Sequence, residues 1–257
     1  MIFNPYSISK LGTYSHCPKQ FEFKYVNKVK VPFTYNVALY KGSYIHKIIE
    51  EDYNYDTDFK INETFTAEKK AEARKIVETF EASTLGILYK SKTENALHEE
   101  KFGIKVQDGS IVICSYYDKT AWMRGAIDFQ YTEDGVAYNI DWKSGKNKSN
   151  DKDFGIDQSM AYSIYLFLKY PNINIIKSKF VFVEHLDEKE IVYVREKFAE
   201  YIKHFYNKTK ILEADKFYEP KTGPLCEWCD YEAHGFCKVP EEKQKASEDF
   251  MKMKIDF

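Results

Sequence analysis

Two short apolar segments, Arg124-Gly-Ala-Ile-Asp-Phe129 and Asn139-Ile-Asp-Trp-Lys-Ser-Gly-Lys146, constrain this chain more than any other feature. Each reads as a strand, and the Glu133-Asp134-Gly135 turn joins them into a hairpin. Each strand then brings one carboxylate, Asp128 or Asp141, to the same end of the hairpin. Side chains two residues apart share a face of a strand, so Lys143 stands beside Asp141. Two acids and a lysine converging on a hydrophobic sheet are costly unless something pairs them. A divalent cation would do so, which points toward phosphodiester hydrolysis. That reaction needs a nucleophilic water and neutralisation of charge on the scissile phosphate. Mg²⁺ or Mn²⁺ would suit, because such hard ions prefer carboxylate, carbonyl and water oxygens. Asp128 and Asp141 would supply carboxylates, and the backbone carbonyl of Trp142 a third ligand. Lys143 would orient the water or stabilise developing negative charge. An isolated Asp-x-Lys is too short to decide the matter, and solvated residues at strand ends explain it better when it stands alone.

The surrounding pattern predicts the class of fold. Ser7 or Ser9 can cap a first helix carrying Leu11, Tyr14, Phe21 and Tyr25. Further helices are expected over 37–53 and 66–84. Segments 99–107, 110–118, 121–131 and 136–142 alternate or run apolar, with turns at Asp108-Gly109 and Asp134-Gly135, and predict a four-strand meander. A helix follows over 156–169, then strands over 175–185 and 189–194, and a helix over 195–213. Helices, strands, a helix, more strands and a helix give an α/β fold with a mixed central β-sheet flanked by helices. The stretch Glu241 to Lys254 is charged and amphipathic, and predicts a peripheral helix.

Three further residues join the hairpin acids. Gly42-Ser-Tyr-Ile-His46 lies on a predicted helix, with the imidazole one turn past a glycine that permits close approach. A neutral His46 nitrogen could bind metal. Glu50, another turn on, fits an accessory ligand less well than a solvated charge beside Glu51 and Asp52. Gln158 and Tyr162 stand at i and i+4 on one helix face. Their amide and phenol could contact a phosphate or a base.

Gly42-x-x-x-His46, Gly125-x-Ile-Asp128, Ile140-Asp-Trp-Lys-Ser-Gly145 and Gln158-x-x-x-Tyr162 occur in this order. The set resembles the RecB-like branch of the PD-(D/E)XK nuclease superfamily. The resemblance implies a restriction-endonuclease-like core in which His46, Asp128 and Asp141 hold the metal. It implies that Lys143 assists catalysis and that Gln158 and Tyr162 touch the substrate. It further implies a DNA exonuclease acting on single strands, in recombination, repair or phage DNA processing.

Cys226-Glu-Trp-Cys229 is a C-x₂-C pair, and Cys237 follows within twelve residues. Thiolates so spaced can grip one metal centre. Cys17, beside Pro18, is a candidate fourth ligand, and shared binding would clamp the first helix to the C-terminal tail. Zinc and iron–sulfur both accept four cysteines, and His16 and His234 permit a mixed zinc site. The set is similar to AddB-type nuclease domains and CRISPR-associated adaptation nucleases. That resemblance implies a [4Fe–4S] cluster as a structural staple, although Cys229-x₇-Cys237 is longer than the spacing common there. It would make residues 1–257 one nuclease domain. Segments 1–36 and 214–240 would form the staple, 37–213 the core and 241–257 a tail. Cys114, in Ile111-Val-Ile-Cys-Ser115, is expected to be a small buried hydrophobe.

Bulk properties bound the partners. At 257 residues, 44% hydrophobic and 30% charged, the chain can bury a full core. The net charge of −2 gives no global basic signature, so DNA binding must rely on a local positive surface. No apolar run reaches the ~20 residues a membrane span needs. The N-terminus lacks the pattern of a signal peptide, so a cytoplasmic location is expected and membrane association is not. No Gly-x-x-x-x-Gly-Lys-Ser/Thr loop occurs, so no nucleotide cofactor is expected and any helicase or recombination motor would be a separate partner. The competing reading is a non-catalytic nucleic-acid-binding module stapled by zinc.

Overall fold

The computed structural model describes residues 5–32, 37–51, 65–92 and 94–237. The predicted tail helix over 241–254 and the end of the second helix beyond 51 lie outside them. The chain divides into two compact units, one drawn from residues 1–34 and 206–257, the other from 35–205.

The larger unit holds a six-stranded mixed sheet. Its strands are β1 (Leu97–Gln107), β2 (Ser110–Cys114), β3 (Met123–Glu133), β4 (Val136–Lys143), β5 (Ile175–Phe182) and β6 (Asp187–Val194), in the order β2-β1-β3-β4-β5-β6. The mixed sheet follows from the element order. Antiparallel β3 and β4 form the Asp134-Gly135 hairpin, whereas β4 and β5 run parallel and need the crossover helix between them.

The expected four-strand meander does not form. β3 pairs with β1 rather than with β2. β2 stops at Cys114, and residues 115–122 turn back, with Trp122 N–H donating to the Ile104 carbonyl at 2.7 Å. Local alternation marks strands but not partners, and here the chain returns to the free side of β1. Cys114, on this edge strand, is half-buried rather than buried.

Both faces of the sheet are covered. Helices α3 (Val37–Glu51) and α4 (Ala67–Ala82) place Tyr44, Ile45, Ile48, Val77 and Phe80 in a core with Phe129, Trp142 and Val181. Helix α6 (Ile156–Lys169) buries Ala161, Ile164, Leu166 and Phe167. A buried polar row, Asn139 to Ser178 at 2.6 Å and Ser178 to Ser163 at 3.2 Å, ties α6 to the sheet interior. The helix predicted over 66–84 ends at Ala82. Ser83 accepts from Gly86 N–H at 3.1 Å and caps a separate helix α5 (Thr84–Lys90) that the sequence reading missed.

In the smaller unit Ser7, not Ser9, caps α1 (Ile8–His16) through Lys10 N–H. The predicted long first helix is broken. Cys17 is extended at φ −155°, and Pro18 starts α2 (Pro18–Phe21). Proline disfavours helical backbone at the residue before it, so the break falls at Cys17. Helix α7 (Phe198–Ala214) leads into the C-terminal segment. Tyr6 donates to Glu213 at 2.9 Å and Tyr14 to Asp215 at 2.7 Å, joining the N-terminal helices to that segment.

Candidate active site

The hairpin does what its sequence requires. Asp128 on β3 and Asp141 on β4 lie close together, and Lys143 Nζ is 2.5 Å from Asp141 Oδ2. The Trp142 backbone N–H donates to Asp128 Oδ2 at 2.9 Å, which locks that carboxylate against the neighbouring strand. From α6, Gln158 donates to Asp141, accepts from Lys143 at 3.3 Å and donates to the Tyr162 hydroxyl at 3.2 Å. Lys143 therefore sits between a carboxylate and an amide, over the rings of Phe180 and Phe154. From α3, His46 Nδ1 lies 3.4 Å from Asp128 Oδ2. All six residues singled out from the motifs, His46, Asp128, Asp141, Lys143, Gln158 and Tyr162, thus gather in one place, together with the Trp142 backbone.

The motif glycines have a steric reason. A Cβ on Gly42 would meet Ser144 Oγ at 2.9 Å, so the glycine lets α3 approach the end of β4 and carry His46 to the acids. A Cβ on Gly125 would come within 2.7 Å of the Phe102 ring and 3.1 Å of Tyr162. That glycine lets β3 pass beneath α6.

The electrostatics mark a place short of positive charge. Burial pushes Asp128 up to about 8, the neighbouring Asp141 pushes the same way, and the Trp142 N–H opposes both. Burial holds His46 below its ordinary value, which keeps the imidazole neutral and able to ligate. Glu50 is also pushed up to about 8, first by burial and then by Glu99.

Glu50 and Glu99 are the residues the sequence reading undervalued or missed. The Glu50 side chain is only 2% exposed, so it is not the solvated charge expected. Glu99 stands in β1 where the ladder pairs His98 with Phe129 and Glu100 with Ile127, which sets it opposite Asp128. Nothing in a Glu-Glu pair at a strand start announces this, because the position depends on the β1–β3 register. One ligand atom each from His46, Glu50 and Asp128 lie within 4.8 Å of one another, close enough to share a cation. The chemistry of this donor set, carboxylates with one imidazole, fits Mg²⁺ or Mn²⁺.

A sequence profile of the PD-(D/E)XK nuclease superfamily matches residues 5–234. This chain belongs to the PD-(D/E)XK nuclease superfamily. Members use divalent metals to cut nucleic acid, in keeping with the carboxylate and histidine cluster above. No curated protein sequence matches the chain. Among solved structures, a "Putative exonuclease" from Eubacterium rectale shares the fold at 16% identity and a TM-score of 0.53, covering 92% of this chain and 90% of its own. The protein SSO0001 is 14% identical with a TM-score of 0.35, over 91% of this chain and 98% of its own. Among the described residues no helix is long and apolar enough to cross a membrane.

The cysteines of this superfamily member form a separate feature in the smaller unit. Cys17, Cys226, Cys229 and Cys237 all line one cavity of about 610 Å³. Gln20 Nε2 lies 3.8 Å from Cys229 Sγ, and the Gly223 N–H points at Cys226 Sγ at 3.4 Å. Burial pushes the Cys237 thiol up, and Cys17, Cys229 and Cys226 push it the same way. Four thiols so placed, with N–H donors nearby, form a donor set that suits a thiophilic metal centre.

Proposed function

We propose that this protein is a metal-dependent deoxyribonuclease that degrades single-stranded DNA from an end and carries a [4Fe–4S] cluster as a structural staple. The observation that carries the nuclease reading is the convergence of His46, Asp128, Asp141, Lys143, Gln158 and Tyr162 from four separate elements, α3, β3, β4 and α6. A divalent cation, when bound, would polarise the scissile phosphate and raise the acidity of a water molecule. His46, Asp128, Asp141 and the Trp142 carbonyl are the groups to hold it. Lys143 would place its ammonium on the attacking side, stabilising negative charge as it develops. Gln158 holds both Lys143 and Asp141, so it would fix their separation before substrate arrives.

Lys146 and Lys148 follow Lys143 in the loop after β4, and Lys143 and Lys148 both lie over the Phe154 ring. Their loop is pinned by Asn147 and Ser149 donating to Asp187 at 2.8 and 2.6 Å. A pinned basic loop suits a phosphate backbone. The printed name of the Eubacterium rectale protein supports action from an end.

The iron–sulfur reading is supported by the convergence of Cys17, Cys226, Cys229 and Cys237 on one cavity, together with the resemblance of their pattern to cluster-bearing nucleases.

The test is digestion of end-labelled linear and closed circular single-stranded DNA with Mn²⁺. Stepwise shortening of the linear strand, intact circles and loss of that shortening in Asp141→Asn are expected. Cutting of circles would reject action from an end, and full activity in Asp141→Asn would reject the site. Metal analysis of anaerobically purified protein tests the staple, since one zinc and no iron would reject the cluster.

A further inference from the structure

We propose that Phe154 is a positioning residue for Lys143, and that Asp187 and Lys189 on β6 hold it in place by anchoring the crossover loop 144–155. Its effect on rate rests on the nuclease reading, whereas the placement of the lysine does not.

Residues 144–155, between β4 and α6, carry no helix or strand of their own. Ordering such a segment costs conformational entropy, so what anchors it is informative. Asp187 and Lys189 stand two residues apart on β6, share a face of that strand and offer the loop opposite charges. Asp187 Oδ2 accepts from the Asn147 amide at 2.8 Å and the Ser149 hydroxyl at 2.6 Å. Lys189 Nζ donates to the carbonyls of Asp151, Lys152 and Phe154 at 2.5, 3.1 and 2.8 Å. An ammonium has three protons, and these three carbonyls use them all. Lys189 therefore has no donor left for a phosphate, and its charge serves the loop. Gly155 follows at φ +79°, and a Cβ there would come within 2.3 Å of the Phe180 ring. The glycine lets the chain lie on Phe180, and Phe154 packs against Phe180 and Phe182 with ring centroids 5.3 and 5.7 Å away.

The product of this anchoring is an aromatic pair beside the active-site lysine. Lys143 Nζ lies 6.0 Å from the Phe154 ring centroid and 5.4 Å from that of Phe180. An ammonium at that range is attracted by the ring quadrupole. The polar contacts of Lys143 are to Asp141 and Gln158, and Asp141 is a group that a bound cation would also claim. Aromatic faces hold the ammonium without taking its protons, which stay available for negative charge developing on the substrate. The lysine stem is flexible, and fixing it before substrate arrives removes freedom that would otherwise be lost during reaction. Phe180 is fixed by β5 itself. Phe154 has only the loop, and Lys189, which faces Phe180 across the β5–β6 ladder, ties the Phe154 carbonyl to the sheet. The placement of Lys143 thus depends on β6, a strand that carries none of the six motif residues.

The first measurement needs neither divalent metal nor DNA. Full-length protein carrying ε-¹³C-lysine is compared with Phe154→Leu, Phe154→Tyr and Lys189→Met by nuclear magnetic relaxation, the Lys143 signal being assigned by its loss in Lys143→Met. The Lys143 ε-methylene should be ordered in the parent and in Phe154→Tyr, and mobile in Phe154→Leu and Lys189→Met. Unchanged order in Phe154→Leu overturns the proposal. Should that variant fail to fold, Lys189→Met carries the same prediction. Kinetics with Mn²⁺ and end-labelled linear single-stranded DNA follow. In Phe154→Leu kcat should fall roughly tenfold with KM and Mn²⁺ affinity unchanged, and Phe154→Tyr should restore it to within about twofold. A raised KM with kcat unchanged would make Phe154 a substrate contact and overturn the positioning role. Lys189→Met should add little to Phe154→Leu in the double variant, because both act through one ring; additive losses would refute the anchoring by Lys189. A parent without metal-dependent hydrolysis would sink the nuclease reading, and the relaxation comparison would still decide the placement of Lys143.

Discussion

Removing the charge of Asp128 should abolish cleavage and, without metal, make the protein more stable. The carboxylate is 13% exposed and pushed up to about 8 by burial and by Asp141. An ordinary aspartate ionises near 4, so between those limits the folded protein holds a proton that the unfolded chain has lost. Stability of the metal-free protein is therefore full below about pH 4 as far as this group is concerned, and falls as pH rises toward 8. Each pH unit in that window corresponds to about 1.4 kcal/mol. Glu50, raised to a similar value, is coupled to the same cluster, so the two effects do not add. Relaxation and water entry lower the figure further, and about 2 kcal/mol at pH 7.5 is a fair expectation. Asp128→Asn removes the penalty while its amide oxygen still accepts the Trp142 N–H. For a chain of this length about 2 kcal/mol corresponds to about 4–8 °C in melting temperature. The assay is thermal melting in EDTA from pH 5 to 8. The parent should lose stability across the window, Asp128→Asn should flatten the slope and melt higher at pH 7.5, and Mn²⁺ should stabilise only the parent strongly. A pH-independent parent, or an Asp128→Asn protein that melts lower in EDTA at pH 7.5, would refute the reasoning.

Lys143→Met should lower the rate of hydrolysis by roughly 10²–10³-fold with Mn²⁺ binding preserved, because the ammonium serves developing charge rather than the ion. A parallel loss of Mn²⁺ affinity would assign it a binding role instead. Gly125→Ala should cost about 1–3 kcal/mol in urea unfolding and slow cleavage, since its methyl would press on Phe102 and Tyr162. Unchanged stability would show that the Phe102 ring can give way. Cys226→Ser should remove visible absorption from anaerobic protein and lower its melting temperature, whereas retained colour would exclude Cys226 as a ligand.

The hairpin acids were legible because strand alternation is local. Period two puts Asp141 and Lys143 on one face, and a two-residue turn fixes Asp128 opposite the same strand. Gln158 and Tyr162 were legible for the same reason in helical form, and α6 spans the residues expected of it, Ile156–Lys169. The order of elements was enough for a mixed sheet with a parallel crossover. The strand partners were not legible. Residues 115–122 could have led β3 to either side of the hairpin, and only packing sent it to β1. Helix α5 was lost because Ser83 ends one helix and caps the next within a single residue.

By itself the sequence determined the class of fold and membership of the superfamily, and proposed six side chains as metal ligands, catalytic groups and substrate contacts. Those depend on periodicity and on the spacing of residue types, which any chain carries in one dimension. Only the tertiary structure decided what surrounds that set. Glu99 comes to stand opposite Asp128 through the β1–β3 register, and the Glu50 side chain changes from an expected solvated charge to a buried one through the seating of α3. Gly42 and Gly125 matter because of the atoms that fill the space beside them. Register and desolvation arise between elements distant in the chain, so no local pattern encodes them.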